Sequence, residues 1–328
     1  MLKYTVKRLL ILIPLLLVLS ILVFVLIQLP PGDYLTTYVN KLRSQGAEVT
    51  EDLIKSLEVQ YGLNQPMHMQ YLRWMRSVLQ GNFGYSFSYS KPVNVLLASR
   101  LPATIGLSLA SVIMIWLLAF PTGFYAATHQ YSLGDYAFTS ISFFGVSMPQ
   151  FLLAIVVMYI YFIFTRKYAG GLYSDEFAGK PWTWDKIVNM IQHMWLPMLV
   201  IAITGTAGLF KTFRANLMDE LSKPYVKTAR AKGVSNMRLL IKYPVRIALI
   251  PFIATVGWML PGLISGQTIL AQVLSLPTVG PLLITALMNQ DMFLAGSIVF
   301  IMGALSMIGT LISDILLALT DPRIRTSM

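Results

Sequence analysis

Residues Leu9 to Leu29 read LLILIPLLLVLSILVFVLIQL, apolar throughout apart from Ser20 and Gln28. At 1.5 Å per residue such a run is about 30 Å long, enough to cross the hydrocarbon layer of a bilayer. In lipid a backbone must satisfy its own hydrogen bonds, so the run reads as a transmembrane helix. Lys3, Lys7 and Arg8 precede it. A cleavable signal peptide shares that charged start, but its apolar part is only about 7 to 15 residues and ends at a small-x-small site. Here the run is longer and ends in Gln28-Leu29-Pro30-Pro31-Gly32, so it is read as a first span.

Outward from this segment, residues 31–101 turn polar and mixed, as expected of a small folded insert outside the bilayer. Thr50 can cap a helix with Glu51 and Asp52 in its first turn, Leu53, Ile54 and Leu57 on one face, and a stop at Gly62. Pro66 suits the first turn of a second helix with Tyr71, Leu72, Met75 and Leu79 inward, ending at Gly81. Further apolar spans are expected at 103–128, 136–165, 195–213, 247–271 and 294–319. They are rich in Gly, Ala, Ser and Pro, which lets helix backbones approach closely. The fold class is therefore an all-α integral membrane protein with about six transmembrane helices. Residues 1–30 form the first span, 31–101 the extracytoplasmic insert, and 102–328 a core bundle that carries a basic loop at 214–246.

Composition agrees. Hydrophobic residues make up 56% of the chain and charged residues 12%, where soluble domains hold about 25% charged. With no cysteine there is no disulfide, thiolate nucleophile or Cys-based metal site, and no metal site is expected. A net charge of +11 would suggest nucleic acid in a soluble protein, but its placement argues otherwise. With the N-terminus inside, the inner segments hold 14 Lys/Arg against four acids, and the outer segments 11 against nine. This is the positive-inside pattern of a membrane protein, and no nucleic-acid partner is expected. Asp314 lies within the last span, where an acid is a functional candidate by default, but about two turns before Asp321 it is close enough to the cytoplasmic face to be wet or helix-paired, and a structural role is favoured. Ser147 beside a span raises an intramembrane protease, but none of His68, His129 and His193 is placed to act as its base.

The basic loop has the grammar of a short helix. Ser222 can cap it, Pro224 sits in its first turn and Gly233 ends it, while Thr228, Ala229 and Ala231 leave little bulk on one side. A second helical stretch from Ser235 would turn Met237, Leu240 and Ile241 to the bundle and leave Arg238 and Lys242 wet. Two readings stand: a helix that seats in a partner's groove, or a basic loop that sets topology and holds anionic lipid head groups.

Tyr225-Val226-Lys227-Thr228-Ala229-Arg230-Ala231-Lys232-Gly233 resembles the coupling loop of ATP-binding-cassette importer permeases, in the variant of the oligopeptide, dipeptide and nickel branch. Similar stretches follow in the family's order along nearly the whole chain, among them Lys7-Arg8-Leu9-Leu10, Pro31-Gly32-Asp33, Tyr61-Gly62-Leu63-Asn64-Gln65-Pro66, Gly81-Asn82-Phe83-Gly84-Tyr85-Ser86, Arg100-Leu101-Pro102-Ala103-Thr104, Ser147-Met148-Pro149-Gln150-Phe151, Leu276-Pro277-Thr278-Val279-Gly280 and Asp321-Pro322-Arg323-Ile324-Arg325. The sequence departs from the pattern at Lys227-Thr228-Ala229, where the general motif opens Glu-Ala-Ala, and at Gln272, Thr278 and Gln290, where Glu, Gly and Arg are the branch's residues.

The resemblance implies a multi-pass subunit of a bacterial or archaeal plasma (inner) membrane, with both termini cytoplasmic. It implies a second homologous permease subunit, two cytoplasmic ATPase subunits and an extracytoplasmic substrate-binding protein as partners, besides membrane lipid. No Gly-Lys-Ser/Thr phosphate loop occurs in the sequence, so ATP and Mg would be bound by the partner ATPases, and this chain would be a transport subunit and not an enzyme. The ATPase contact implied is Tyr225, Val226, Lys227, Thr228, Ala229, Arg230, Ala231, Lys232, Gly233, Val234 and Ser235. Gln267, Gln272, Asn289 and Gln290 are candidates for the translocation path, against a role in caps and loops. Trp182 and Trp184 are candidates for binding-protein contact, against a role as interfacial anchors. The cargo implied is an oligopeptide or a solute of similar size, with oligosaccharides as the alternative. A carrier driven by an ion gradient is the alternative of another class, although it would want more buried ionisable groups than Asp314.

Overall fold

The computed structural model describes residues 2–28, 65–86, 88–177, 179–254 and 267–320, with scattered positions between 39 and 59. The apolar run opens α1 (Leu2–Gln28), which lies antiparallel to the last helix, α13 (Met292–Thr320). Two glycines set their approach: a Cβ on Gly296 would collide with Ile27, and one on Gly303 with Leu19. At the far end of the same seam Arg8 pairs with Asp314 at 3.0 Å, so the acid in the last span is a helix-pairing group.

Helix α2 (Met67–Leu79) follows Pro66 and stops before Gly81, at φ +77°. Its inward residues differ in part from those expected. Trp74 and Val78 are buried against Val23 and Phe24, with Tyr71 and Met75 partly buried beside them, while Leu72 and Leu79 are exposed. The aromatic pair sets the face: Trp74 packs on Phe24 and Phe300, and Tyr71 bonds the Ser20 hydroxyl at 2.8 Å. For the earlier insert helix, Glu51, Asp52, Ile54, Lys55 and Val59 are helical, whereas Leu53, Leu57 and Gly62 lie outside the described residues.

A hairpin of β1 (Tyr85–Ser86) and β2 (Lys91–Pro92) leads into α3 (Val93–Thr128). The hairpin is pinned by buried Asp291, which accepts from Ser86 Oγ at 2.5 Å and Ser88 N at 3.1 Å. Its other oxygen accepts from Leu294 N, capping α13. Helix α3 starts ten residues before the expected span and passes through Arg100 and Pro102. It packs in parallel on α7 (Trp195–Ser222), with Ile115 against Gly205 and Phe213 against Gly123. Phe120, Phe213 and Phe252 stack through this core at 5.3 and 5.2 Å between rings, the geometry aromatic rings prefer.

The expected single span 136–165 is two helices, α4 (Leu133–Ser147) and α5 (Gln150–Thr165), bent by 106°. The break falls at Met148-Pro149, because proline disfavours helical backbone in the residue before it. Among the described residues, α1, α3, α7 and α13 are long and apolar enough to cross a bilayer, making four spans, or five if the bent pair counts as one. The middle of the expected span 247–271, residues 255–266, lies outside the described residues. On either side of these lie the helical stretch 250–254 and, after Gln267, α11 (Thr268–Val273). Between α5 and α7 stands α6 (Trp184–His193), and α12 (Val279–Met288) precedes α13.

Candidate functional site

After α7 the chain breaks into three short helices: α8 (Pro224–Ala231), α9 (Asn236–Lys242) and α10 (Pro244–Ala248). Pro224 and Pro244 start two of them, as proline does at a first helical turn. Gly233 ends the first at φ +76°, a backbone conformation in which a side chain is strained. The cap is not Ser222. Helix α7 runs through Ser222, whose hydroxyl bonds back to Asp219 O at 2.7 Å, and Lys223 takes the capping place with extended backbone.

Val226 and Ala229 are buried on the underside of α8, with Leu239 and Leu240 of α9 beside them and Phe124 of α3 below. In α9 it is Leu239 that joins Leu240 inward, while Met237 and Ile241 stand exposed. The buried pair Leu239 and Leu240 lies one position before the expected Leu240 and Ile241. The upper side of the segment is Tyr225, Lys227, Thr228, Arg230, Ala231, Lys232, Gly233 and Ser235, all exposed, with Val234 half-buried. An open groove of about 580 Å³ runs between α8 and the α9–α10 bend, with Tyr225, Thr228, Lys232, Lys242, Tyr243 and Arg246 on its walls. The Tyr225 hydroxyl donates to Glu220 Oε2. Partial burial and that carboxylate acceptor push the phenol above its ordinary value of 10.0.

One feature at this end was not legible in the sequence. Arg214 of α7 grips Asp135 of α4 through Nε and Nη2, both at 2.8 Å, and Tyr131 N adds a bond to Asp135 at 3.0 Å. Asp135 is 3% exposed, so the fork ties α4 to α7 just below the basic segment. The two residues are 79 positions apart, and no local pattern announces such a pair.

The path candidates separate. Gln272 is exposed and lines a pocket of about 310 Å³ with Arg100, Ser275 and Thr278. Gln267 is buried behind it, next to Thr104 and Thr278. Asn289 and Gln290 sit exposed in the turn from α12 to α13, at the other end of α12, roughly 15 Å of helix away. Gln290 adopts φ +53° there to close the turn. The two tryptophans also differ. Trp182 is half-buried and meets Tyr173 edge-on, and the Lys186 ammonium sits between them, 4.6 Å from the Tyr173 ring and 4.9 Å from the Trp182 ring. Trp184 is 75% exposed. Burial, reinforced by the charge of Arg100, lowers the Lys186 pKa below 10.5.

The sequence pattern that defines binding-protein-dependent transport system inner membrane components matches residues 119–326. The pattern for the N-terminal part of such membrane components matches residues 1–109. The chain is 35% identical over 328 residues to the oligopeptide transport system permease protein AppB of Bacillus subtilis (strain 168), covering 99% of both. It is 33% identical to the oligopeptide transport system permease protein OppB of Haemophilus influenzae, over 99% of this chain and 100% of that one. To OppB of Escherichia coli (strain K12) it is 28% identical over the same shares.

Proposed function

The chain belongs to the family of binding-protein-dependent transport system inner membrane components, and on that premise we infer that it is the permease subunit of an ATP-binding-cassette importer of oligopeptides. The relatives named above are peptide permeases along their whole length, which favours peptides over oligosaccharides and over an ion-driven carrier. The subunit sits in the membrane with α8 on the cytosolic side, as the surplus of Lys and Arg around it favours. It pairs with a second permease, takes solute from an external binding protein, and is driven by two ATPases that bind ATP and Mg.

One observation carries the coupling role: α8 is anchored by Val226 and Ala229 while its other side is left free beside an open groove. A helix held that way moves as a unit with the bundle beneath it. Closure of the ATPases on ATP would push α8, and through Phe124 and Leu221 the ends of α3 and α7, so that the bundle alternates between its two faces. Residues Tyr225 to Ser235 form the contact, with Gly233 setting the direction in which the chain leaves the helix.

Gly233→Glu tests this. Open space surrounds Gly233, so no clash disturbs the bundle, but the positive φ is strained for glutamate and an acid is placed on the docking face. ATP-driven peptide uptake in vesicles should stop while the chain still inserts in the membrane, and Gly233→Ala should fall between. Full uptake by the glutamate variant would rule out docking through α8.

A further inference from the structure

Arg100 lies 24 residues before Phe124 on the single helix α3, so it stands about 36 Å from the coupling segment, at the opposite end of the bundle. There the pocket of about 310 Å³ collects Arg100, Gln272, Ser275, Thr278 and Thr285 around the ring of Tyr89. Its volume is that of a small-ligand site, and a lining of hydroxyls and an amide is unlike a surface made for lipid tails.

Arg100 is half-buried, and among the described residues its guanidinium has neither an ion pair nor a hydrogen-bond acceptor. Buried Asp291, just before α13, already receives Ser86, Ser88 and Leu294. Lys186 adds a second positive charge close enough to be disfavoured by Arg100. Behind the pocket, past Ala271 and Thr278, is a cavity of about 10 Å³, room for about one water, lined by Gln267. Gln267 is 7% exposed, and its Nε2 has no acceptor among the described residues. A half-buried guanidinium without an acceptor carries a desolvation cost that an incoming anion relieves, while the Gln267 amide faces its own cavity, where one water would serve it.

We propose that this pocket binds the terminal carboxylate of the transported peptide, with Arg100 as its cation. The planar fork of an arginine matches a carboxylate with two parallel bonds, and Gln272, Ser275 and Thr278 supply neutral donors for the remaining lone pairs. A terminal carboxylate is common to peptides of every sequence, which suits a subunit that must pass many of them. An uncharged oligosaccharide would leave the guanidinium unmatched. The inference rests on the peptide-importer reading and gives that reading a chemical handle on its cargo.

The test uses the complete transporter, with both permeases, the ATPases and the binding protein, in proteoliposomes. Uptake is measured for a short peptide with uncharged side chains as the free acid and as the C-terminal amide, in wild type, Arg100→Gln and Arg100→Lys. Any preference of the binding protein cancels when the acid-to-amide ratio of a variant is divided by that of wild type. Arg100→Gln should lower that ratio about tenfold, the worth of a charge-assisted bidentate contact, and Arg100→Lys should recover part of it. If Arg100→Gln fails to assemble with the ATPases, Gln272→Leu, at an exposed position, should lower the ratio two- to fivefold, about the worth of one neutral hydrogen bond. A ratio equal to that of wild type, or equal slowing of both peptides, would overturn the carboxylate subsite and leave the importer reading standing. ATP-driven uptake of neither peptide by wild type would overturn that reading and the subsite together.

Discussion

The two ends of the bundle both carry exposed basic side chains, but the end away from α8 also draws Arg100 and Lys186 inward. At the α8 end Lys227, Arg230, Lys232, Arg238, Lys242 and Arg246 all stand in the open, above an apolar underside of Val226, Ala229, Leu239 and Leu240. At the other end Arg73, Arg76, Lys91, Arg166, Lys167 and Lys180 are exposed as well, but two cations are drawn in: Arg100 is half-buried in a polar pocket and Lys186 is buried between two rings. Exposed charges are each worth little and are screened over about 8 Å in physiological salt. They suit docking that must form and release in every cycle, where most of the grip comes from shape. A partly desolvated charge is barely screened, and it discriminates strongly between a ligand with a matching anion and one without. Burial, more than the number of charges, should therefore decide how much each residue matters.

The largest effect is expected beneath the coupling segment. Leu239 is fully buried under α9, and Leu239→Asp removes its packing and puts an unpaired carboxylate in an apolar site, each costing several kcal/mol. Uptake should fall more than tenfold, and the ATPases should no longer co-purify with the permease. Undiminished capture of the ATPases would mean that the underside does not present the docking face.

Next comes the Asp135–Arg214 pair, which separates burial from location. It lies at the α8 end, yet Asp135 has almost no access to water. Arg214→Leu strands that carboxylate and should cost about 2 kcal/mol, less than a fully enclosed pair because Arg214 is itself 26% exposed. Adding Asp135→Asn should recover part of the loss. Thermal unfolding in detergent reads both, and a double variant no more stable than Arg214→Leu alone would refute the assignment of the cost to the unpaired charge. A smaller change is expected at Lys232, exposed on the groove. Lys232→Gln should weaken ATPase association by two- to fivefold and flatten its salt dependence. An effect as large as that of Leu239→Asp would break the contrast between wet and buried positions.

How much of this was readable in advance follows the same division. Pro224 and Gly233 bracket α8 in the sequence as they do in the structure, because both act through their own backbone. The cap at Ser222 was misplaced because α7 remains helical through it, held by packing of Leu217 and Leu221 that local propensity does not encode. The phase of α9 is one position off, because Met237, Leu239, Leu240 and Ile241 are all apolar and offer more than one face to bury. Ser147-Met148-Pro149 did hold the signal for the bend between α4 and α5, in the backbone restriction that proline places on Met148. Of the Arg100 pocket only Gln272 was singled out in the sequence as a path candidate, since α3, α11 and α12 bring together residues more than 170 positions apart.

The smallest effect belongs to Tyr225, and its pH behaviour makes it the most delicate test. Its phenol is raised above 10.0 by partial burial and by Glu220, so the hydrogen bond to that carboxylate is present below pH 10 and is lost only as the pH rises through the higher folded value. Between about pH 6 and 9 the group stays neutral and adds no charge to the six cations around it. Tyr225→Phe should therefore weaken ATPase association by about twofold or less, the worth of one solvent-accessible hydrogen bond. The curve of association against pH should keep its wild-type shape across that window. A difference between the two proteins that grows towards pH 9 would show the phenol ionising early, and would place the docking face in a more positive field than its wet, screened side chains produce.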